Sequence, residues 1–205
     1  MNKQVIVDYI GSIQFTPEQI NESISTNGGK LIVSGIMQRG STGNEKNFNQ
    51  NGRSYPLPIL RREADKYKKV FVAERRALGE LDHPESSVVN LSNVSHNIVD
   101  LWWDGTDLMG KIEILATPSG NIAKELLRAG IRLGISSRGM GSVRELGEGK
   151  VEVQDDFEIV CWDLVSNPST QGAFMDNLNE SKQGLIVNSR YTRVNALIND
   201  IISIM

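Results

Sequence analysis

The sequence predicts an α+β fold, mainly antiparallel, with a β-barrel and helices around it. Three observations lead there. Short strand-like segments recur along the chain: 4–15 and 30–40, rich in Val and Ile, then 76–84, 131–146 and 150–165. Turn signals separate them, most clearly at "WWDGTDLMG", where Asp104-Gly105 joins two strands. Helical patterns are few and peripheral, at 56–70, 117–130 and 188–205.

From the N-terminus, "QVIVDYIGSIQF" and "KLIVSGIMQRG" read as strands, linked by the polar "TPEQINESISTNGG" with its closing turn signal. Next comes a long polar loop, "STGNEKNFNQNGRSYP". Loops of this length in a compact domain are usually functional or disordered. "PLPILRREADKYKKV" reads as a helix, with prolines near its start and basic residues near its end. "RALGELDHP" is strand-like up to its proline. Leu108, Ile112 and Ile114 then alternate with Met109, Lys111 and Glu113. "TPSGNIAKELLRAG" is the clearest helix, with Thr117 or Ser119 as cap and Gly130 at its end. In the last segment Val194, Leu197, Ile198, Ile201 and Ile202 share one side of an amphipathic helix.

Composition excludes several functions. The 205 residues are 39% hydrophobic and 23% charged, with net charge −3, so bulk charge favours neither nucleic acid nor a membrane surface. No apolar run nears the roughly 18 residues of a span, and the first residues lack a signal-peptide pattern. One cysteine, Cys161, and two histidines argue against a disulfide framework and against a Cys- or His-rich metal centre. No cofactor is expected, and a reducing cytoplasm fits.

Two stretches carry candidate chemistry: "GELDHP" and, some fifty residues later, "LGISSRGMGS". A serine hydroxyl becomes a nucleophile only beside a base, and the base needs an orienting partner. Strand alternation puts Ala77, Gly79, Leu81 and His83 on one face, opposite Leu78, Glu80 and Asp82, with His83 ending an inward row. The bland alternative is a histidine satisfied by a backbone carbonyl. In "IRLGISSRG", Ser136 shares a face with Arg132, Gly134 and Arg138, whereas Ser137 continues the row of Ile131, Leu133 and Ile135. N–H groups at Ser137, Arg138 and Gly139 are candidates for an oxyanion hole. In "DDFEIVCWDLVSNPS", Phe157, Ile159, Cys161 and Asp163 alternate with Glu158, which places Asp163 inward. An unpaired buried carboxylate is costly, and a histidine partner explains it.

"NGRSYP", "GELDHP", "DLWWDG", "GISSRGMGS" and "WDLVSNPS", in this order, resemble the prohead core proteases of tailed bacteriophages over about residues 30–175. The resemblance implies a fold similar to herpesvirus assemblins. It also implies a serine endopeptidase with Ser136 as nucleophile, His83 as base and Asp163 as third member. Assemblins use a second histidine after the serine, and here none follows His96, which is left as structural. The implied function is capsid maturation inside the prohead, assembled in the bacterial cytoplasm. The substrates would be scaffold, capsid-protein propeptides and the enzyme itself, cut after Glu in (Leu/Ile)-x-Glu. Arg138, Arg132 and Arg53 are candidates to hold that glutamate, Arg138 first by proximity. Glu22, Glu180 and Glu148 end such motifs in this chain. Residues 1–180 would form the protease domain and 181–205 a linker and detachable helix. The competing readings are a catalytically silent scaffold-binding component of the same fold, and a small-ester hydrolase. No nucleic acid or membrane partner is expected. A homo-oligomer is open.

Overall fold

The structure, a computed structural model, describes residues 17–84 and 86–177. The expected strand at 4–15, Glu180 and the helix at 188–205 lie outside the described residues.

The first described element corrects an expectation. The polar stretch before residue 29 forms helix α1 (Pro17–Thr26). Its apolar face is only Ile20 and Ile24, with the small Ser23 between them buried too, so its periodicity is faint in the sequence. Strand β1 (Leu31–Arg39) follows. Loop 40–52 leads to the two-residue β2 (Arg53–Ser54). Although long and polar, that loop is tied down by its own side chains. Ser41 and Ser54 share a hydroxyl–hydroxyl bond of 2.7 Å, Asn47 Nδ2 donates to Gly40 O at 2.9 Å, and Asn49 Oδ1 accepts from the Arg53 N–H at 2.9 Å.

Helix α2 (Leu57–Tyr67) buries Leu60, Ala64 and Tyr67 and runs into a π-helical turn at Lys68–Val72. Strand β3 (Leu78–Glu80) is short. Strands β4 (Val94–Asp104) and β5 (Asp107–Ile114) form the expected hairpin, with Asp104 facing Asp107. Helix α3 (Pro118–Arg128) is capped by Thr117 rather than Ser119: Thr117 Oγ1 accepts the Gly120 N–H at 3.0 Å. The last strands are β6 (Gly134–Met140), β7 (Val143–Gly147), β8 (Lys150–Val153), β9 (Glu158–Val165) and β10 (Met175–Asn177). Ile131, assigned to the inward row, is 48% exposed because β6 begins only at Gly134.

The mainly antiparallel α+β architecture is present, but among the described residues the expected barrel is not shown as one continuous ladder. The strands form a five-stranded sheet in the order β10-β1-β5-β4-β3, a three-stranded sheet β2-β8-β7, and the antiparallel pair β6-β9. The five-stranded sheet meets the β6-β9 pair at both edges, at the bridges Leu81 with Leu164 and Gly134 with Phe174 and through the Asp82 N–H to Leu164 O, the Met175 N–H to Leu133 O and the Ile135 N–H to Ala173 O. These junctions are short because its edges are. β3 and β10 have three residues each, and the left-handed backbone of Asp82 (φ 70°) turns the chain straight after Leu81. Inside lies one apolar core, where Ile98, Leu108 and Ile112 of the large sheet share a cluster with Ile135, Trp162 and Leu164 of the pair. Tyr67 meets Trp162 edge-on, with ring centroids 5.0 Å apart.

Candidate active site

The β6-β9 ladder decides which side chains can meet. Its register sets Ser136 opposite Asp163 and Arg138 opposite Cys161. Directly opposed residues share a face, and so do residues two apart on one strand. Ser136, Arg138, Cys161 and Asp163 therefore stand together on the face away from Ile135, Trp162 and Leu164.

His83 reaches this face by a different route from the one its strand spacing predicts. It is not the last residue of an extended row, since β3 ends at Glu80 and Asp82 is left-handed. The loop is held by the Asp82 N–H donating to Leu164 O at 2.7 Å and by Asp82 Oδ1 accepting the His83 N–H at 2.9 Å. The imidazole then comes to rest with Nδ1 2.8 Å from Asp163 Oδ2. Asp163 is fully buried, whereas the His83 side chain is 35% exposed and looks into a cleft.

Burial alone would push the Asp163 carboxyl up. Hydrogen bonds from His83, the Glu80 N–H (3.0 Å) and Arg138 outweigh it and hold the group below the ordinary carboxylate range. The carboxylate is thus ionised at neutral pH and can only accept. His83 Nδ1 must carry the proton, which leaves Nε2 as the acceptor. Cys161 Sγ adds a long contact of 3.4 Å to Asp163 Oδ1, and burial lifts that thiol to about 12, so it stays protonated.

Arg138, first choice to read a substrate glutamate, is committed elsewhere. Its Nε and Nη2 fork onto the Asp163 carboxylate at 2.8 and 3.1 Å. Nη2 also donates to Glu80 Oε1 at 2.7 Å, and Nη1 to the Ser86 carbonyl at 2.7 Å. Desolvation opposes this buried charge, and the Glu80 and Asp163 hydrogen bonds more than compensate, raising the guanidinium pKa. With its side chain 11% exposed and four of its five N–H donors bonded within the protein, Arg138 is a clamp and not a reader. Glu80, which the sequence reading placed on an outward face, is its fully buried partner and also accepts the Asn90 N–H at 3.0 Å. Alternation along β3 does not show this, because the face of the strand away from Gly79 is covered as well, by Arg138 and by the loop at Asn90. Together Glu80 and Arg138 tie both ends of the loop that carries His83.

Arg132 is also corrected. Its guanidinium stacks 3.9 Å from the centroid of Phe174, and it does not line the cleft. Arg53 remains. It lines the cleft of about 280 Å³ that holds His83, Ser136, Ser137 and Ser169, with Tyr55 beside it. Arg53 and Tyr55 also border the adjoining hollow formed by Met140, Val143 and Phe157.

The oxyanion candidates separate as well. The Ile135 N–H donates to Ala173 O, on the side of β6 away from β9. Alternation turns the Ser136 and Arg138 N–H groups toward β9 and the Ser137 N–H back to the open side, into the cleft. Arg138 is thereby removed from the oxyanion set. Gly139 follows a register shift and borders the neighbouring hollow instead.

His96 is fully buried in the core. Its Nδ1 accepts from Ser95 Oγ at 2.9 Å and its Nε2 donates to Trp162 O at 3.1 Å. Burial lowers its pKa to about 4. Of the suggested self-cleavage points, Glu22 lies in α1 beside fully buried Ser23, so cutting there requires the helix to open. Glu148 forms the tip of the β7-β8 hairpin with Gly149, both at positive φ (53° and 71°), a conformation far from the extended chain a protease cleft takes. Among the described residues no cluster of His, Cys, Asp or Glu is arranged to hold a metal. Ser169, which the sequence reading did not single out, has its hydroxyl 3.1 Å from that of Ser136.

Comparison with known proteins places the chain in a family. The family model for prohead core protein serine proteases matches residues 10–183. The prohead core protein protease of Enterobacteria phage T4 is 35% identical over 149 residues, covering 71% of this chain and 68% of that protein. The solved structure of the bacteriophage T4 capsid assembly protease superposes with a TM-score of 0.61 at 31% identity, over 66% of this chain and 81% of the other. The chain belongs to the prohead core protein serine protease family.

Proposed function

We propose that the protein is the capsid-maturation endopeptidase of its phage, acting through Ser136, His83 and Asp163. One observation carries the reading: an ionised, buried Asp163 holds His83 Nδ1 at 2.8 Å while the imidazole shares a cleft with Ser136. In the reaction His83 Nε2 takes the Ser136 proton as Oγ attacks the scissile carbonyl, and then hands it to the leaving amine. Water hydrolyses the acyl-enzyme by the same route. Among the described residues the Ser136 hydroxyl bonds Ser169 and not His83. Catalytic hydrogen bonds commonly tighten only with substrate bound.

The substrates on this reading are scaffold and capsid-protein propeptides within the prohead, cut after glutamate, and the fold is of the assemblin kind. Arg53 supports the specificity. It is an exposed cation at the cleft without an ion-pair partner among the described residues, placed to meet a substrate carboxylate. Glu180 is preferred over Glu22 and Glu148 as the self-cleavage point, because those two are held in a helix and a tight turn. The test is intact mass of the protein and its Ser136→Ala variant after parallel incubation with a Leu-Asn-Glu-Ser peptide. Peptide cleavage after Glu by the parent alone is expected. Equal cleavage by both would remove Ser136 from the mechanism.

A further inference from the structure

We propose that the Ser169 hydroxyl is a catalytic group, donating to the oxyanion that forms when Ser136 attacks. The inference rests on Ser136 being the nucleophile. Its starting point is the 3.1 Å separation of the two hydroxyl oxygens at the wall of the cleft. When Oγ bonds to the scissile carbon, the carbonyl oxygen lies within about 2.5 Å of Oγ by ordinary bond lengths and angles. A hydroxyl already in contact with Oγ comes within hydrogen-bond range of that oxygen when the substrate sets its carbonyl on the Ser169 side of Oγ. Among the described residues, Ser169 supplies the side-chain hydroxyl in contact with Ser136, and either oxygen can donate.

The surrounding structure leaves this role open and holds the hydroxyl in place. Only the Ser137 N–H on this part of β6 is directed into the cleft, and a single donor is a weak oxyanion hole. Ser169 supplies a second donor from a separate segment. That segment is fixed from two sides. The Ser169 carbonyl accepts the Gln50 N–H at 2.9 Å, and the Ala173 carbonyl accepts the Ile135 N–H at 2.9 Å, one residue before the nucleophile. The strand that carries Ser136 thus anchors the segment that carries Ser169. In the resting protein Ser136 occupies the place of the oxyanion as the partner of this hydroxyl. Substrate replaces that contact, and Ser136 is released toward His83.

The test uses the full chain, a fluorophosphonate probe, and an internally quenched peptide containing Leu-Asn-Glu-Ser. The probe reacts by forming a bond from Ser136 Oγ to phosphorus with loss of fluoride, the serine proton passing to His83. Mass spectrometry reads the rate and position of labelling. Ser169→Ala is expected to slow labelling at Ser136 and to lower kcat for the peptide by about 10²–10³-fold, with KM within about threefold. Ser169→Thr, which keeps the hydroxyl, should restore most of kcat, an outcome a packing role would not give. Parent-like kcat and labelling in Ser169→Ala would overturn the proposal while leaving Ser136 in place. If the parent protein is not labelled at Ser136, the nucleophile assignment falls and this proposal with it.

Discussion

Acid should unfold this protein through His96 before it affects the carboxylate cluster. His96 is neutral and fully buried, with a folded-state pKa of about 4 against 6.5 for the free side chain. Between these values the unfolded chain binds the proton and the folded chain does not, so stability falls as pH drops. The gap corresponds to about 3 kcal/mol in full, of which about 2 kcal/mol is gone by pH 5. The perturbation is a pH series on the Ser136→Ala protein, with and without His96→Gln, which keeps a donor for the Trp162 carbonyl but cannot titrate. Urea unfolding at each pH gives the stability. The parent should lose about 2 kcal/mol more than the Gln variant between pH 7 and pH 5. Comparing the two within one background cancels every other titrating group. Equal losses in both proteins would refute the reasoning, as would an NMR titration of His96 in the folded state near 6.5.

Three further outcomes follow from the geometry. Asp163→Asn should cut peptide turnover by about 10³–10⁴-fold, because His83 Nδ1 loses its anionic acceptor; steady-state kinetics with retained circular dichroism checks it. Arg138→Ala leaves Glu80 and Asp163 buried without their cation and should cost about 3–5 kcal/mol by chemical denaturation, so a neutral result would show the clamp to be unimportant. Gly79→Ala puts a Cβ 2.1 Å from the Trp162 carbonyl oxygen and 2.4 Å from the His96 ring. Neither is a flexible chain end, so a loss of about 1–3 kcal/mol and a lower melting temperature are expected.

The chemistry of this protein is legible in the sequence wherever it depends on residue type and local order. A pair of serines before an arginine, one histidine before a proline, and an acid at the end of an apolar row mark Ser136, His83 and Asp163 as the group to examine. The β4-β5 hairpin and α3 are equally local, since a turn and a cap are written within a few residues. Arg138 shows where local reading ends. Nothing in "SSRG" says whether its guanidinium meets solvent or carboxylates, because Glu80 and Asp163 come from strands 58 and 25 residues away in the chain. Strand alternation misplaces Glu80 for a similar reason: the face it turns away from Gly79 is covered by Arg138, which comes from a distant strand.

The sequence by itself therefore determined the family, the strand-rich composition and which three side chains are proposed for the site. The tertiary structure alone decided how they are held. It set the register that opposes Ser136 to Asp163, the left-handed Asp82 that aims His83, the commitment of Arg138, and the approach of Ser169. Each of these pairs groups distant along the chain, and such contacts are fixed by packing and ladder register. Residue pattern does not encode them, because a shift of one position reverses which side chains meet.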